Sequence, residues 1–173
     1  IEVAKALEAA GVHALILSGG FVSRAPMYVM RGAMPIRSLT YYMQQFWLPI
    51  GVRIAGHMMI PTVPFKEAYF FEDALKFREA VKLPLVYVGG LVSREKIDMV
   101  LDAGFDGVSM ARALLNEPDF VNRMGREENA RNACEHANYC IARMYSREMA
   151  CHKHIPDLPK KLLKELESAS KKN

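Results

Sequence analysis

The sequence has little cysteine, little tryptophan and little excess charge. Its 173 residues include three cysteines and one tryptophan. An odd number of thiols, behind an N-terminus (Ile1-Glu2-Val3-Ala4-Lys5) without the charged-then-apolar layout of a secretion signal, argues against a disulfide framework and for reduced cysteines. No apolar run reaches the roughly 18 to 20 residues needed to cross a bilayer, so a soluble, cytoplasmic protein without a membrane partner is expected. The 23 basic and 19 acidic residues leave a net charge of +4. Residues 153 to 173 alone, with six Lys against Asp157, Glu165 and Glu167, supply +3 of it. The remainder is nearly neutral and has no basic stripe interleaved with aromatics, which argues against nucleic acid and leaves a small molecule as the expected ligand. Low-complexity sequence is also lacking, and 51% hydrophobic residues provide ample material for a core.

The patterning predicts alternating helices and strands, and the chain starts as if in mid-fold. Residues 2 to 10 are strong helix formers with Val3, Ala6, Leu7 and Ala10 at helical spacing, and Gly11 stands at the C-terminal cap. His13 to Ser18 is an apolar run of the kind buried on both faces of a parallel sheet, and it ends in Ser18-Gly19-Gly20. Residues 69 to 82 predict an aromatic-rich helix, followed by a strand over 84 to 88 that stops at Gly89-Gly90. Ser93 is placed to cap a helix that turns Ile97, Val100 and Leu101 inward and ends at Gly104. A third strand, Gly107 to Met110, runs into Ala111-Arg112, and Asn116 is expected to cap a further helix with Glu117, Pro118 and Asp119 in its first turn. Gly51 to Ile54 is a candidate fourth strand. In the tail, Asp157 is read as the start of a helix with Leu158, Leu162, Leu163 and Leu166 on one face, and the last residues, SASKKN, as frayed.

Strands alternating with helices predict parallel βα units whose C-terminal edges bind ligand. A closed eight-unit barrel takes about 250 residues, so three or four units amount to around half of one. In such a half the inward faces of the strands, with Leu15, Leu17, Val86, Val88 and Val108 among the candidates, and two parallel edges would stay uncovered. The expected division is a barrel portion over 1–130 and a cysteine-containing segment with a helical tail over 131–173.

Two strand ends, Tyr87-Val88-Gly89-Gly90-Leu91-Val92-Ser93 and Ser109-Met110-Ala111-Arg112, carry the clearest chemistry. Glycines let backbone N–H groups approach a phosphate, a following helix adds a favourable dipole, and Arg112 adds a permanent bidentate donor. A lone Gly-Gly more often only makes a tight turn, and a lone Arg more often pairs with a carboxylate. On successive strand ends the combination favours an anion site of the kind found after the last two strands of a barrel.

SGGF at 18 to 21, residues 83 to 124, and the cysteine-rich segment beyond them resemble the C-terminal part of the Old Yellow Enzyme family, FMN-dependent NADH:flavin oxidoreductases that include 2,4-dienoyl-CoA reductases. The resemblance implies an α/β fold, the C-terminal part of a (β/α)8 TIM barrel with a C-terminal helical extension. It implies an ene-reductase type of oxidoreductase in which NAD(P)H reduces FMN and FMN reduces an activated alkene or similar acceptor. It assigns the FMN phosphate to Gly89, Gly90, Met110, Ala111 and Arg112, with Ser18 and Gly19 lining the same mouth. Many members carry glycine where this chain has Ala111. The family's substrate-activating His/Asn or His/His pair lies on earlier strands, so the chain offers no assigned catalytic acid. Tyr28, Tyr41 and Tyr42 are phenols that could donate a proton but are read as packing residues.

Cys134, Cys140 and Cys151 form a second constellation, with His136 and His152 beside them. Thiolates clustered in sequence suit an iron–sulfur cluster or zinc. Similar relatives hold a [4Fe–4S] cluster through four cysteines, whereas Ala137 stands here where a second cysteine is expected. Unliganded thiols without metal are therefore the expectation. Residues 21 to 64, rich in Met (Met27, Met30, Met34, Met43, Met58, Met59) and containing Trp47, are unusually long for a βα loop. They read equally as a substrate lid and as a surface packed against the missing N-terminal half of the barrel or a homo-oligomer partner. Two other classes of function stay open: a non-catalytic half-barrel acting as an interaction module, and a barrel that binds a different phosphorylated ligand.

Overall fold

The computed structural model describes residues 1–19, 30–43, 47–144 and 146–171, apart from the side chains of His57 and Met59. Gly20, Phe21, Met27, Tyr28 and the last two residues, named above, lie outside this set. In chain order the described elements are α1 (Glu2–Ala9), β1 (Leu15–Leu17), α2 (Ile36–Tyr41), α3 (Leu48–Met59), α4 (Phe71–Ala80), β2 (Leu85–Val88), α5 (Arg94–Asp102), β3 (Gly107–Ser109), α6 (Arg112–Asn116), α7 (Phe120–Met124), α8 (Tyr139–Arg143), a 3-10 turn (His152–His154) and α9 (Lys160–Ser170). They fall into two compact units, Ile1–Gly20 with Glu67–Ala133 and Phe21–Lys66 with Cys134–Asn173.

The first unit is α/β. Its three strands are parallel in the order β1-β2-β3, with Leu15 opposite Leu85, Leu17 opposite Tyr87 and Tyr87 opposite Val108. Side chains alternate across a sheet, so these five share one face. That face packs with Ala4 of α1, Ala74 of α4 and Ile97 and Val100 of α5 into a core completed by Phe105 and Phe120. The expected inward set is therefore split between two faces. Leu15, Leu17 and Val108 lie on the helix-covered side, whereas Val86 and Val88 alternate to the other, where Ile16 is 64% exposed.

Caps and turns explain where the elements stop. Ser93 accepts a hydrogen bond from Lys96 N at 3.3 Å and starts α5 as its side chain predicts. Gly104 ends that segment at φ +89°, a backbone state that glycine reaches without a Cβ penalty. Leu101, expected inside, is 40% exposed because it follows the buried Val100 by one residue and turns off the buried face. Val3 and Leu7 likewise face outward from α1, and Ala4 is the residue that packs. Asn116 closes α6 and does not cap the next helix, which follows Asp119. Its side chain is instead buried against Asn132, to whose Oδ1 it donates at 3.1 Å.

The second unit corrects two further expectations. Gly51 to Ile54 lies within α3, which begins Leu48-Pro49, a favourable place for proline in a first turn. The tail helix α9 starts at Lys160 after Pro159 and extends through Ser170, so the first three residues of SASKKN are helical and Lys171 caps the end. Leu158, Leu162 and Leu166 are buried while Leu163 is 38% exposed, since only the i, i+4 pair stays on one helical face. Two apolar clusters form here, one around Met34, Ile36, Leu39 and Ala142, the other around Ala137, Tyr139, Leu158, Leu162 and Leu166. Glu165 of α9 ties the unit together by accepting from Arg37 N, Ser38 N and Ser38 Oγ at 2.7, 2.9 and 2.9 Å. Asn138, at φ +57°, donates to the carbonyls of Arg31 and Ala33 at 2.7 and 3.1 Å. Among the described residues no helix is long and apolar enough to cross a membrane.

Candidate functional site

Parallel pairing brings the C-terminal ends of three strands to one edge of the sheet. Leu17 is level with Tyr87 and Val88 with Ser109, so Ser18-Gly19, Gly89-Gly90 and Met110-Ala111-Arg112 emerge side by side. All seven residues expected at the phosphate site are thus at one sheet edge, with Arg112 as the first residue of α6.

The glycines are constrained from below by the core. A Cβ on Gly19, whose φ is +80°, would stand 2.7 Å from Cε2 of Phe70, and the ring and hydroxyl of Tyr87 fill the space where a Cβ of Gly89 would sit. Gly90 adopts φ +70°. Tyr87 is fully buried; its hydroxyl accepts from Phe70 N at 3.2 Å and donates to Gly89 O at 3.1 Å. Burial pushes this phenol far above its ordinary range, so it stays protonated and acts as a strut.

The loop that follows is held by a carboxylate that the sequence reading passed over. Glu67, with its side chain 11% exposed, accepts from Val92 N, Ser93 N and Ser93 Oγ at 2.8, 2.7 and 2.9 Å, and from Arg131 Nη1 at 3.1 Å. The chain at Arg131 returns to the same place: Arg94 N donates to Ala130 O and Asn132 N to Val92 O. A second polar group lies near the end of α6. Asn132 donates to Ala113 O and Glu117 Oε2, and Glu117 pairs with Arg123 through two contacts. The Arg123 hydrogen bond holds the Glu117 carboxyl below the usual carboxylate range.

A phosphate group suits this edge. The backbone N–H groups of Gly19, Gly90 and Ala111 donate no hydrogen bond to another described residue. Glycine at two of these positions leaves the amides uncovered, and the methyl of Ala111 does not remove its N–H. Arg112 follows Ala111 at this edge as the first residue of α6, and backbone amides next to an arginine are the residue types an anion cradle uses.

The remaining candidates lie in the second unit. Tyr41 packs edge-on to Tyr42 with centroids 4.9 Å apart and lies under the ammonium of Lys161. The Tyr42 hydroxyl meets that of Tyr139 at 3.1 Å, and Arg143 donates to Tyr139 at the same distance. Burial raises Tyr139 to about 12. Tyr41 is thus held by ring and cation contacts and Tyr42 by a ring contact and its hydroxyl, while Tyr28 lies outside the described residues. His136 stacks on Phe65 with centroids 3.4 Å apart, and the chain there is left-handed at φ +55°. Cys134, Cys140 and Cys151 are half-buried, no disulfide joins them among the described residues, and among those residues no three His, Cys, Asp or Glu side chains form a group able to hold a metal ion. Burial pushes the Cys151 thiol up and the His152 imidazole down.

Comparison with known proteins gives one informative relative. The chain is similar to a 4,4'-dithiodibutanoate disulfide reductase from Rhodococcus erythropolis, 35% identical over 147 residues, which cover 84% of this chain and 36% of the relative. The chain therefore spans about a third of the length of the curated relative it matches. No family model matches the chain, and no solved structure does so significantly. The relative is an oxidoreductase, consistent with the general class expected from the sequence.

Proposed function

We propose that this chain is the FMN-phosphate-binding part of an NAD(P)H-dependent flavin oxidoreductase, contributing the last strands of a (β/α)8 barrel. What supports this most is the side-by-side emergence of Gly19, Gly89-Gly90 and Ala111-Arg112 from three successive parallel strands. Similarity to a reductase of an organic disulfide adds the reaction class. When bound, FMN supplies hydride transfer from NAD(P)H to an acceptor: an activated alkene in the family the sequence resembles, or a disulfide as in the relative's name.

In this reading Gly19, Gly90 and Ala111 offer backbone N–H groups to the phosphate and Arg112 neutralises its charge, with Ser18 and Met110 lining the same mouth. Glu67 and Tyr87 position the strand-end loop from beneath. The residues that orient the acceptor come from the rest of the barrel, supplied by an N-terminal half or a second copy. Cys151 is assigned no nucleophilic part, because burial pushes its thiol up.

Flavin titration of the purified protein tests the assignment. Arg112→Ala is expected to weaken FMN binding by about 1.5 to 3 kcal/mol, the range for a charge-assisted hydrogen bond. Gly90→Val, which keeps the charge but covers the backbone, is expected to weaken it as well. Unchanged FMN affinity in both variants would overturn the proposal, and selective loss of a sugar-phosphate ligand would favour a different phosphorylated substrate.

A further inference from the structure

The second unit carries a concentration of positive charge that the flavin reading does not use. A cavity of about 530 Å³ opens between α9 and the segment leading into α2, and a second of about 300 Å³ adjoins it, sharing Arg37 and Lys161 in its lining. Among the described residues five cations line the two: Arg37, Arg53, Lys160, Lys161 and Lys164. Among the described residues none of the five takes part in an ion pair. Arg53 donates to Thr40 Oγ1 and Lys161 sits 4.6 Å from the Tyr41 ring centroid, so two are oriented by uncharged partners.

Among the described lining residues there is one carboxylate, Glu165, and it is already engaged. Its two oxygens accept from Arg37 N, Ser38 N and Ser38 Oγ. The first turn of α9 has no acidic residue and carries Lys160 and Lys161, so cations stand where a helix favours negative charge. Such an arrangement disfavours itself unless an anion joins it. The floor is different: Met34, Pro35, Ile60 and Ala169 give the larger cavity an apolar side, and its volume is within the range of organic ligand sites.

We propose that these adjoining cavities bind a small organic diphosphate, its phosphates among the lysines and arginines and its apolar part against Pro35 and Ile60. The balance of charge selects this class. A monocarboxylate would leave most of the five cations uncompensated, whereas a diphosphate brings two to three negative charges and many acceptor oxygens, suited to both the arginine fork and the lysine point charge.

The test uses ADP, inorganic pyrophosphate and adenosine as probes in calorimetric titrations of the purified protein. ADP and pyrophosphate are expected to bind and adenosine is not. The double variant Lys161→Gln, Lys164→Gln should weaken ADP at least tenfold while its unfolding midpoint stays unchanged. Arg37→Gln, which leaves the buried face of α9 intact, should weaken ADP in the same direction should the double variant prove unstable. Arg112→Ala must leave ADP affinity unaltered, which separates this site from the proposed flavin-phosphate site. The proposal is overturned if ADP binds no better than adenosine, if the lysine and Arg37 variants bind ADP as the parent does, if Arg112→Ala abolishes ADP binding, or if phosphatidylserine vesicles bind and ADP does not displace them.

Discussion

The two units are stabilised in different ways. In the sheet-bearing unit one continuous core runs from Ala4 and Leu85 to Phe105, Phe120 and Ala130. The other unit divides its apolar residues between two smaller clusters and relies on polar contacts between distant parts of the chain, such as Glu165 with Arg37 and Ser38 or Asn138 with Arg31 and Ala33. Burial is non-directional and tolerates small shifts, whereas a buried hydrogen-bonded group loses its contribution when one partner moves. Removing a methyl-rich side chain should therefore damage the first unit most, and removing one carboxylate the second.

Leu85→Ala is expected to have the largest effect. Leu85 is fully buried in the middle strand, and truncation should destabilise the sheet unit by about 3 kcal/mol through lost transfer energy and a residual cavity. Amide exchange in β2 and α5 measures it, and a loss below about 1 kcal/mol would show that the core is not continuous. Glu165→Ala should cost about 2 kcal/mol, because the hydroxyl of fully buried Ser38 and two backbone amides lose their acceptor. The change should appear first as faster exchange in α2 while β1 to β3 keep their protection; equal loosening in both units would remove the contrast.

The smallest expected effect is a dependence on pH. Arg123 lowers the folded-state pKa of Glu117, so the stabilisation from this carboxylate is present above its unfolded value, about 4.3, and is lost as pH falls through the lower folded value. The stability gap between the parent and Glu117→Gln should shrink as the pH drops from 5 to 3. A gap that stays constant over that interval would mean the ion pair contributes nothing that protonation can remove.

Local signals in the sequence carried over well into local structure. The three strands, the Ser93 cap and the glycine stop at Gly104 all appear, since each depends on residues within a few positions of one another. Apolar spacing located the helices but not always their buried faces, as exposed Val3, Leu101 and Leu163 show, because a helix only half covered by neighbours buries a narrower stripe than its apolar residues occupy. Gly51 to Ile54 alternated like a strand within a longer helical stretch, and the helix prevailed. The positioning residues of the candidate site were the least legible. Glu67 acts on Ser93 from 26 positions away and Glu165 on Arg37 from 128, and neither separation leaves a local pattern. Tyr87 was visible as a strand residue, but its role beneath Gly89 depends on a rotamer that only the folded core selects.

The strut under Gly89 also bears on how this chain can vary through descent. Because the Tyr87 side chain occupies the volume that a side chain at 89 would need, positions 87 and 89 form a coupled pair. A lineage can gain alanine at 89 only after a smaller residue has replaced the tyrosine, and that replacement first removes the acceptor of Phe70 N and the donor to Gly89 O. The intermediate step is the damaging one. Position 90 carries a different restriction, a backbone angle that no neighbouring substitution relieves. Two adjacent glycines thus answer to separate constraints, and sequences that share this edge should show covariation at 87 and 89 beside a fixed glycine at 90.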